Sequence, residues 1–371
     1  MRYYLIAGEA SGDLHGSSLI RGLKAEDPDA EFRFRGGDLM SAAAGGQAPV
    51  MHYREGAVMG IAEVLSKAPR LVRSLRFFKQ DVLAWKPDAV ILIDYPGFNM
   101  RMAEHCHKAG LRVFWYIAPK TWATRESRNE RLKEVVDKLF VIFPFEVPYF
   151  KAKGMPVVYK GNPLMEAVAS HKWERPCDER YIALLAGSRK AEISRMMPVC
   201  MKVADTLGIK VLVAGAPSAS MEDYAPFISG RSNVEVLFGR TYDILKYADA
   251  AIINSGTASL EAAVIGTPQV VCWSTSPFSA FVGYKIFRVF DHVKYISLGN
   301  LCLGRQAFRE LVQKDFTVPN VEAEVRRLLT DSGYCSRMKE DYAEIRSMLG
   351  GPGASREVAR IMIENIEPQK I

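Results

Sequence analysis

Short apolar runs alternate with longer stretches of helical periodicity along the whole chain. The apolar runs lie at 3–7, 32–34, 89–93, 113–117, 139–143, 181–186, 211–214, 234–238, 250–253 and 269–273. Apolar residues recur at helical spacing in 62–85, 100–108, 193–206 and 257–264. Strands that are apolar throughout and are separated by helices predict parallel sheets covered on both faces.

The length of the chain and one polar stretch predict two domains. A chain of 371 residues is too long for one ordinary hydrophobic core, and five apolar runs lie on each side of the polar stretch at 165–178. We therefore expect an α/β protein with two doubly wound Rossmann-like domains facing a cleft, 1–164 and 179–345, joined by a linker at 165–178. The tail, 346–371, has only helical periodicity. It can pack back on the first domain or exchange with a neighbour, so the sequence leaves a homodimer open.

Composition and charge narrow the class of protein. Hydrophobic residues make up 49% and charged residues 25%, as in globular proteins. The net charge of +7 suits an anionic ligand or an anionic membrane surface, and since the motifs of nucleic-acid binding are missing, we expect no nucleic acid as partner. Six cysteines without a CxxC pair, no signal sequence and no apolar run of about 18 residues predict a cytoplasmic protein.

A glycine turn opens a helix directly after the apolar run 250–253. We expect Ser255 or Thr257 to cap this helix, so that its first N–H groups face an anion beside Gly256. Glu261 follows about one helical turn later, where its carboxylate can bind the hydroxyls of a ribose. Phosphate donors beside a diol acceptor predict a nucleotide pocket, with an ordinary capped helix as the structural alternative.

Polar residues also follow other strands, at the edge where open α/β sheets bind ligands. The first run leads into a glycine-rich loop with Glu9, Ser11 and Gly12, which permits close approach of a phosphate or sugar. Asp94 follows the run 89–93 and can accept a proton from a hydroxyl, with an Asx turn as the alternative interpretation.

The first strand of the second half ends in a similar turn. Gly187 and Ser188 precede Arg189, whose planar guanidinium can bind a diphosphate. Two phosphate-type turns in one domain favour the nucleotide interpretation over two ordinary caps.

These segments occur together and in a fixed order. The sequence contains AGEASGDLHG, DYPGFN, GSRKAEI, SGTASLE and YISLGNLCLGR. With this set the chain resembles the lipid-A-disaccharide synthases, glycosyltransferases with two Rossmann-type domains (GT-B), along nearly its whole length. The resemblance implies transfer of 2,3-diacylglucosamine from UDP-2,3-diacylglucosamine to 2,3-diacylglucosamine 1-phosphate, with release of UDP and formation of a β-1,6 disaccharide. It places acceptor binding in the first domain and UDP-sugar binding in the second.

The resemblance also assigns roles to residues. Asp94 falls on the family's essential carboxylate, and we predict it as the base, with Arg189 stabilising the leaving diphosphate. The predicted contacts to the nucleotide sugar are Glu9, Ser11, Gly12, Ser188, Ser255, Gly256, Thr257, Glu261 and Asn300. The family's SPxxWAWR segment departs from the pattern, because Thr124 stands here in place of the second tryptophan.

An α-linked donor and a β-linked product require inversion, which a single displacement achieves with one base and no covalent nucleophile. His15, just inside the first helix, is the rival base to Asp94. The DxD sequence at Asp27 and Asp29 precedes a strand at the sheet end away from the ligand, so we expect a turn there. Neither a metal nor another cofactor is expected.

Acylated substrates require contact with a bilayer, and two segments combine apolar and basic residues. One precedes and enters the helical stretch 62–85, and the other lies at 278–290. Either can lie at the headgroup boundary on the cytoplasmic face of the inner membrane, or simply be a core-facing helix with a charged edge. The predicted acceptor and membrane contacts are Val58, Met59, Gly60, Arg70, Arg73, Phe281 and Phe287.

Two other functions use similar turns. A sugar-nucleotide epimerase, or another UDP-sugar enzyme of the same fold, would act on a soluble substrate and would not need a basic and apolar lipid surface. A lipid- or nucleotide-binding protein without activity would not need Asp94.

Overall fold

The computed structural model contains two compact units, each built around one parallel sheet. Unit 1 comprises Met1–Pro163 and Gly350–Ile371, and unit 2 comprises Leu164–Leu349. The structure describes residues 1–56, 61–123, 126–275 and 294–366, and for 61–70 it describes the backbone alone. The predicted linker, 165–178, lies within unit 2, and its first residues belong to a helix.

Seven parallel strands form the described sheet of unit 1, in the order β3-β2-β1-β4-β5-β6-β7. They are β1 (Arg2–Ala7), β2 (Glu31–Gly36), β3 (Met51–His52), β4 (Ala89–Ile93), β5 (Arg112–Tyr116), β6 (Lys138–Val141) and β7 (Val157–Tyr159). The helices of this unit are α1 (Ala10–Glu26), α2 (Asp38–Ala43), α3 (Ile61–Trp85), α4 (Pro96–Lys108), α5 (Arg128–Val135), α6 (Glu146–Ala152) and α15 (Ala354–Ile366), with a one-turn 3-10 helix at Tyr53–Gly56.

Six parallel strands form the described sheet of unit 2, in the order β10-β9-β8-β11-β12-β13. They are β8 (Tyr181–Leu185), β9 (Lys210–Gly215), β10 (Val234–Phe238), β11 (Ala250–Asn254), β12 (Gln269–Trp273) and β13 (Glu310–Val312). The helices are α7 (Leu164–Ala169), α8 (Lys190–Leu207), α9 (Met221–Ile228), α10 (Thr241–Tyr247), α11 (Thr257–Ile265), α12 (Leu298–Leu303), α13 (Val318–Thr330) and α14 (Ser332–Leu349), with a 3-10 turn at Gln313–Asp315.

The predicted pair of doubly wound parallel sheets is confirmed. Every predicted strand is present, and the strands that the sequence missed, β3, β7 and β13, are short ones at the sheet margins. Their residues are mostly half-buried, so they lack the continuous apolar pattern of the central strands.

Helix α15 packs along α1 in unit 1, so the end of the chain is part of this unit. Gly22 of α1 makes the close approach possible, because a Cβ there would lie 2.8 Å from the carbonyl oxygen of Ser355. Arg356 forms an ion pair with Glu26, and Lys138 donates to Asn365 at 2.6 Å.

The strand order places the ligand edge of each sheet. In doubly wound sheets, ligands bind at the carboxyl ends of the two strands where the order reverses. These strands are β1 and β4 in unit 1, and β8 and β11 in unit 2. The polar turns singled out from the sequence follow these four strands. Within the described ranges, no helix is long and apolar enough to cross a bilayer.

Candidate active site

Asp94 is the first residue after β4 and has an unusual backbone. Its φ is 45°, and the φ of Tyr95 is 49°, so two consecutive non-glycine residues are left-handed. The amide of Asp94 donates to the carbonyl of Tyr116 at 3.1 Å, and Asn99 Nδ2 donates to the carbonyl of Asp94 at 2.8 Å. Left-handed conformations of such residues cost energy and cluster at functional sites, where the surrounding structure holds them. Asn99, which is fully buried, supplies part of that hold.

The surroundings of Asp94 favour its protonated form. Burial raises the pKa of its carboxyl, the charge of Lys120 acts to lower it, and the charge of Glu9 acts to raise it. Lys120 comes from the loop after β5, and Glu9 from the loop after β1, so three strand ends converge on this carboxyl. A carboxylate with increased proton affinity suits a general base.

The ring of Tyr95 lies against the glycine-rich loop. A Cβ at Gly8 would lie 2.2 Å from Tyr95 Cγ, so only glycine fits there without displacing the ring. On α4, Phe98 stacks on the same ring with 5.5 Å between ring centres.

Within the glycine-rich loop the predicted contacts divide into two kinds. Glu9 and Ser11 are exposed, whereas Gly12 is buried and a Cβ there would lie 3.1 Å from that of Ala7. Gly12 therefore serves the packing of α1 against β1. The first turn of α1 also contains Asp13, a buried carboxylate without a predicted role.

The side chain of Asp13 caps the N-terminus of α2, although the two are far apart in the sequence. Its carboxylate accepts from the backbone N–H groups of Gly37, Leu39 and Met40, at 2.7, 3.1 and 3.0 Å. No signal in the local sequence predicts this contact, because the donors lie more than twenty residues away.

His15 is poorly suited to act as the base. Burial lowers the pKa of its imidazole to about 4. Such an imidazole is a weak proton acceptor near neutral pH.

The loop after β5 is anchored by a second buried carboxylate, Glu146. Trp122 Nε1 donates to Glu146 Oε1 at 3.1 Å, and the backbone N–H groups of Ile142 and Phe143 donate to the other oxygen at 3.3 and 3.1 Å. Burial raises the pKa of Glu146 to about 7. The retained tryptophan of this loop is thus fixed, whereas Thr124, at the position of the altered one, lies outside the described residues.

In unit 2, the turn after β8 packs against the last residue of β11. Gly187, with φ of 111°, permits this close approach, because a Cβ there would lie 2.6 Å from both Asn254 Nδ2 and the side chain of Glu192. Glu192 Oε2 accepts from the backbone N–H groups of Ser188 and Arg189 at 2.8 and 3.3 Å.

Arg189 is available to a ligand. Its side chain is 63% exposed and has one long contact, 3.4 Å, to Glu192 Oε1. An exposed guanidinium at the start of α8 can turn toward an anion bound at the neighbouring turn.

The expectation that Ser255 or Thr257 caps α11 is wrong. The N-cap is Gly256, no side chain caps the helix, and Ser255 Oγ donates to the carbonyl of Ile296 at 3.1 Å. Thr257 is exposed. An uncapped first turn leaves backbone N–H groups for an anion, so the helix end keeps the property that the motif predicts.

Glu261 lies one turn into α11 with no hydrogen bond to any described residue. Burial raises the pKa of its carboxyl to about 7, and its charge acts on Tyr242 of α10. A half-buried carboxylate without donors of its own is suited to accept hydrogen bonds from a ligand, such as those of sugar hydroxyls.

Asn300 is not placed for the direct contact with the nucleotide sugar that the sequence predicts. It is fully buried, its Nδ2 donates to Glu310 Oε1 at 2.8 Å, and its Oδ1 accepts from Ala307 N at 2.8 Å. Glu310 also accepts from the backbone N–H of Ile296 at 2.9 Å, and Ile296 accepts from Ser255. The structure therefore connects Asn300 to the phosphate turn through Glu310.

Part of the predicted membrane surface is described. Arg73 of α3 is exposed beside Val72, which is 52% exposed, and Arg76 is exposed beside Phe77, which is 41% exposed. Five of the predicted contacts lie outside the described residues, namely Val58, Met59, Gly60, Phe281 and Phe287. The side chain of Arg70 also lies outside the described part of the chain.

Solved structures of other enzymes have the same fold. The MnaA–UDP co-structure from S. aureus has a TM-score of 0.70 at 13% identity and covers 100% of this chain and 98% of that chain. UDP-GlcNAc 2-epimerase from Neisseria meningitidis, bound to UDP-GlcNAc, has a TM-score of 0.70 at 10% identity, covering 98% and 100%. The calicheamicin glycosyltransferase CalG4 has a TM-score of 0.62 at 15% identity, covering 99% and 100%. At these identities the similarity shows the fold alone, which is that of GT-B glycosyltransferases and epimerases.

Comparison by sequence identifies the family in addition to the fold. The family model described as lipid-A-disaccharide synthetase matches residues 3–361. The lipid-A-disaccharide synthase of Trichlorobacter lovleyi is 34% identical over 380 residues, covering 99% of this chain and 98% of the relative. That of Geobacter metallireducens is 36% identical over 378 residues, covering 98% and 97%. The chain therefore belongs to the lipid-A-disaccharide synthetase family of glycosyltransferases.

Proposed function

We propose that this enzyme transfers 2,3-diacylglucosamine from UDP-2,3-diacylglucosamine to the 6-hydroxyl of 2,3-diacylglucosamine 1-phosphate. The products are the β-1,6-linked disaccharide 1-phosphate and UDP. The observation that carries the proposal is Asp94, a carboxylate of raised pKa in a strained turn at the ligand edge of unit 1. Neither an epimerase nor a binding protein requires a base for an acceptor alcohol.

Unit 2 binds the donor. The exposed guanidinium of Arg189 and the N–H groups of the uncapped first turn of α11 bind the diphosphate, and Glu261 accepts hydrogen bonds from the ribose. As the bond to the sugar breaks, negative charge grows on the diphosphate. Arg189, once turned toward the diphosphate, and the helix end stabilise that charge, which lowers the barrier.

Unit 1 binds the acceptor and supplies the base. Asp94 takes the proton of the acceptor 6-hydroxyl as that oxygen forms its bond to C1 of the donor sugar. The C1–O bond to the diphosphate breaks in the same step, so the α-linked donor gives a β-linked product. The reaction needs a base and a stabiliser of the leaving group; unit 1 offers the base, and unit 2 offers the stabilising groups.

Helix α3 is the proposed contact with the cytoplasmic face of the inner membrane. Exposed arginines lie beside exposed apolar residues on its solvent side, as in helices that lie at a headgroup boundary. This surface belongs to unit 1, where the acylated acceptor binds in our proposal.

Incubation with both lipid substrates tests the proposal. We expect mass spectrometry to detect a disaccharide 1-phosphate, and we expect its formation to persist in EDTA because Arg189 and the α11 N–H groups neutralise the diphosphate. A control reaction with UDP-N-acetylglucosamine alone should give no epimer. An epimer in that control, without disaccharide in the first reaction, would replace this proposal with epimerase activity.

A further inference from the structure

Two arginines on the same face of β2 have opposite surroundings. Arg33 binds Asp81 of α3 through two hydrogen bonds, of 2.7 and 2.6 Å. Arg35 is two residues further on and is fully buried, yet none of its side-chain nitrogens has a hydrogen-bond partner in the part of the chain that the structure describes. A buried guanidinium loses the hydration of five N–H donors, and such groups are normally paired. The unpaired state of Arg35 therefore needs an explanation.

Three aromatic rings surround the charge of Arg35. Its guanidinium carbon lies 5.0 Å from the ring centre of Phe98, 5.2 Å from that of Tyr95 and 5.8 Å from that of Phe78. Ring faces attract a cation, but they do not satisfy N–H donors as an oxygen does. An apolar side chain such as methionine would fill this cage without the desolvation cost. The charge is consequently better explained by an anion that it binds.

The cage lies beside the proposed base. Tyr95, one of its walls, follows Asp94 directly and packs with its ring against Gly8. Burial lowers the pKa of Arg35. The Tyr95 side chain, through its charge and through a polar contact with the guanidinium that is longer than a hydrogen bond, and the charge of Glu55 act in the opposite direction. Glu55 belongs to the 3-10 helix Tyr53–Gly56, whose residues Arg54 and Glu55 are exposed.

We propose that Arg35 binds the phosphate group of the acceptor, a phosphate monoester on the sugar. The inference rests on the proposed function, since that function gives unit 1 an acceptor with a 1-phosphate. A phosphate offers oxygens in the geometry that the planar guanidinium fork prefers, and it compensates the buried charge. The phosphate enters from the side of the 3-10 helix. Holding it fixes the far end of the sugar, so that the 6-hydroxyl is directed to Asp94.

The test removes the charge from the enzyme and the phosphate from the substrate, singly and together. We compare kcat/KM of the full-length enzyme and of Arg35→Met for 2,3-diacylglucosamine 1-phosphate and for the same lipid without phosphate. Arg35→Met should lose about 10- to 100-fold with the phosphorylated acceptor, as expected for a charge-assisted hydrogen bond. With the dephosphorylated acceptor it should change less than about threefold. Arg35→Lys should recover part of the loss.

Two further measurements make each outcome decisive. Arg33→Met, the matched control on the same strand, should change kcat/KM for both acceptors by the same factor. Arg35→Met should unfold at the same or a higher temperature than the wild type, because it removes an unpaired buried charge. An equal loss for both acceptors in Arg35→Met, or a lower unfolding temperature, would overturn the proposal and make Arg35 a structural support of Tyr95.

The outcome also separates this inference from the proposed function. A wild-type enzyme that forms no disaccharide contradicts the proposed function. In that case, direct titration of wild type and Arg35→Met with each acceptor lipid still decides whether Arg35 recognises the phosphate. Tighter binding of the phosphorylated lipid by the wild type alone supports the inference, and equal binding by both proteins rejects it.

Discussion

Gly8 and Tyr95 fit against each other so closely that a Cβ at Gly8 would lie 2.2 Å from Tyr95 Cγ. The contact joins the loop after β1 to the residue that follows Asp94. Asp94 and Tyr95 are consecutive and both have a left-handed backbone. The same short stretch of backbone therefore positions the Tyr95 ring and the Asp94 carboxyl.

Replacing Gly8 with alanine should therefore lower kcat strongly and the free energy of unfolding only moderately. The added methyl group displaces the Tyr95 ring and shifts Asp94, so we expect kcat to fall by about 100-fold, the typical result of a misplacement near 1 Å. The expected stability loss is about 1–3 kcal/mol, the usual cost of overpacking. Gly97→Ala is the matched control, because nothing lies within 4 Å of a Cβ there. Steady-state rates and urea unfolding of both variants check this, and equal kcat values would contradict it.

Glu146→Leu should release the loop that contains Trp122. The substitution leaves the indole N–H and two backbone N–H groups without their acceptor. Each buried unsatisfied donor costs about 1–3 kcal/mol, so we expect a stability loss of at least about 2 kcal/mol in urea unfolding. Glu130→Leu, on the exposed side of α5, should cost less than about 0.5 kcal/mol. A loss in Glu146→Leu as small as in this control would show that the anchor is unimportant.

Nucleotide binding should depend on pH through Glu261. Folding raises the pKa of this carboxyl from 4.5 to about 7, so the folded state holds the proton more tightly and the group's contribution to stability declines as pH rises across that interval. Ribose hydroxyls donate to the ionised form. UDP affinity should accordingly weaken below pH 7, and binding should release a proton.

Calorimetric titration with UDP in buffers of different ionisation enthalpy measures that proton. Glu261→Gln should bind UDP more weakly at pH 8 and release fewer protons than the wild type, because the share that comes from Glu261 is lost while that from the terminal phosphate of UDP remains. Glu222→Gln, an exposed substitution on α9, should behave as the wild type. A wild-type affinity that is constant from pH 6 to pH 8 would argue against an ionised Glu261 in the complex.

Vesicle binding tests the surface on α3. Arg73→Glu combined with Arg76→Glu should reduce binding to vesicles that contain anionic lipid, because each basic residue near such a surface contributes about 1 kcal/mol. The reduction should shrink at high salt. Arg337→Glu combined with Lys339→Glu makes the same change of charge on α14 and should leave binding unaltered. Sedimentation with vesicles checks both, and equal losses would mean that only net charge matters.

The sequence predicts the sheets and the ligand edges well because both depend on local pattern. Central strands are buried on both faces and read as continuous apolar runs, and their ends are marked by glycine and polar residues. Asp94 and the turn at Arg189 were found in this way, and the structure places them after β4 and β8.

Contacts between distant segments could not be predicted. Ser255 has the local features of a helix cap, yet its hydroxyl donates to Ile296, which is 41 residues away. Asn300 was expected at the nucleotide, and instead it supports the phosphate turn through Glu310. The unpaired charge of Arg35 is equally invisible in the sequence, because its cage is built from α3, from α4 and from Tyr95, which precedes α4.

The rate of disaccharide formation by Asp94→Asn, with both substrates saturating, is the decisive measurement of whether Asp94 is the base. The substitution keeps the size of the side chain and removes its ability to take a proton. If Asp94 is the base, the rate should fall by about 10²–10⁴ relative to the wild type while UDP still binds with unchanged affinity. A rate within tenfold of the wild type would contradict the account and transfer the proton to another acceptor.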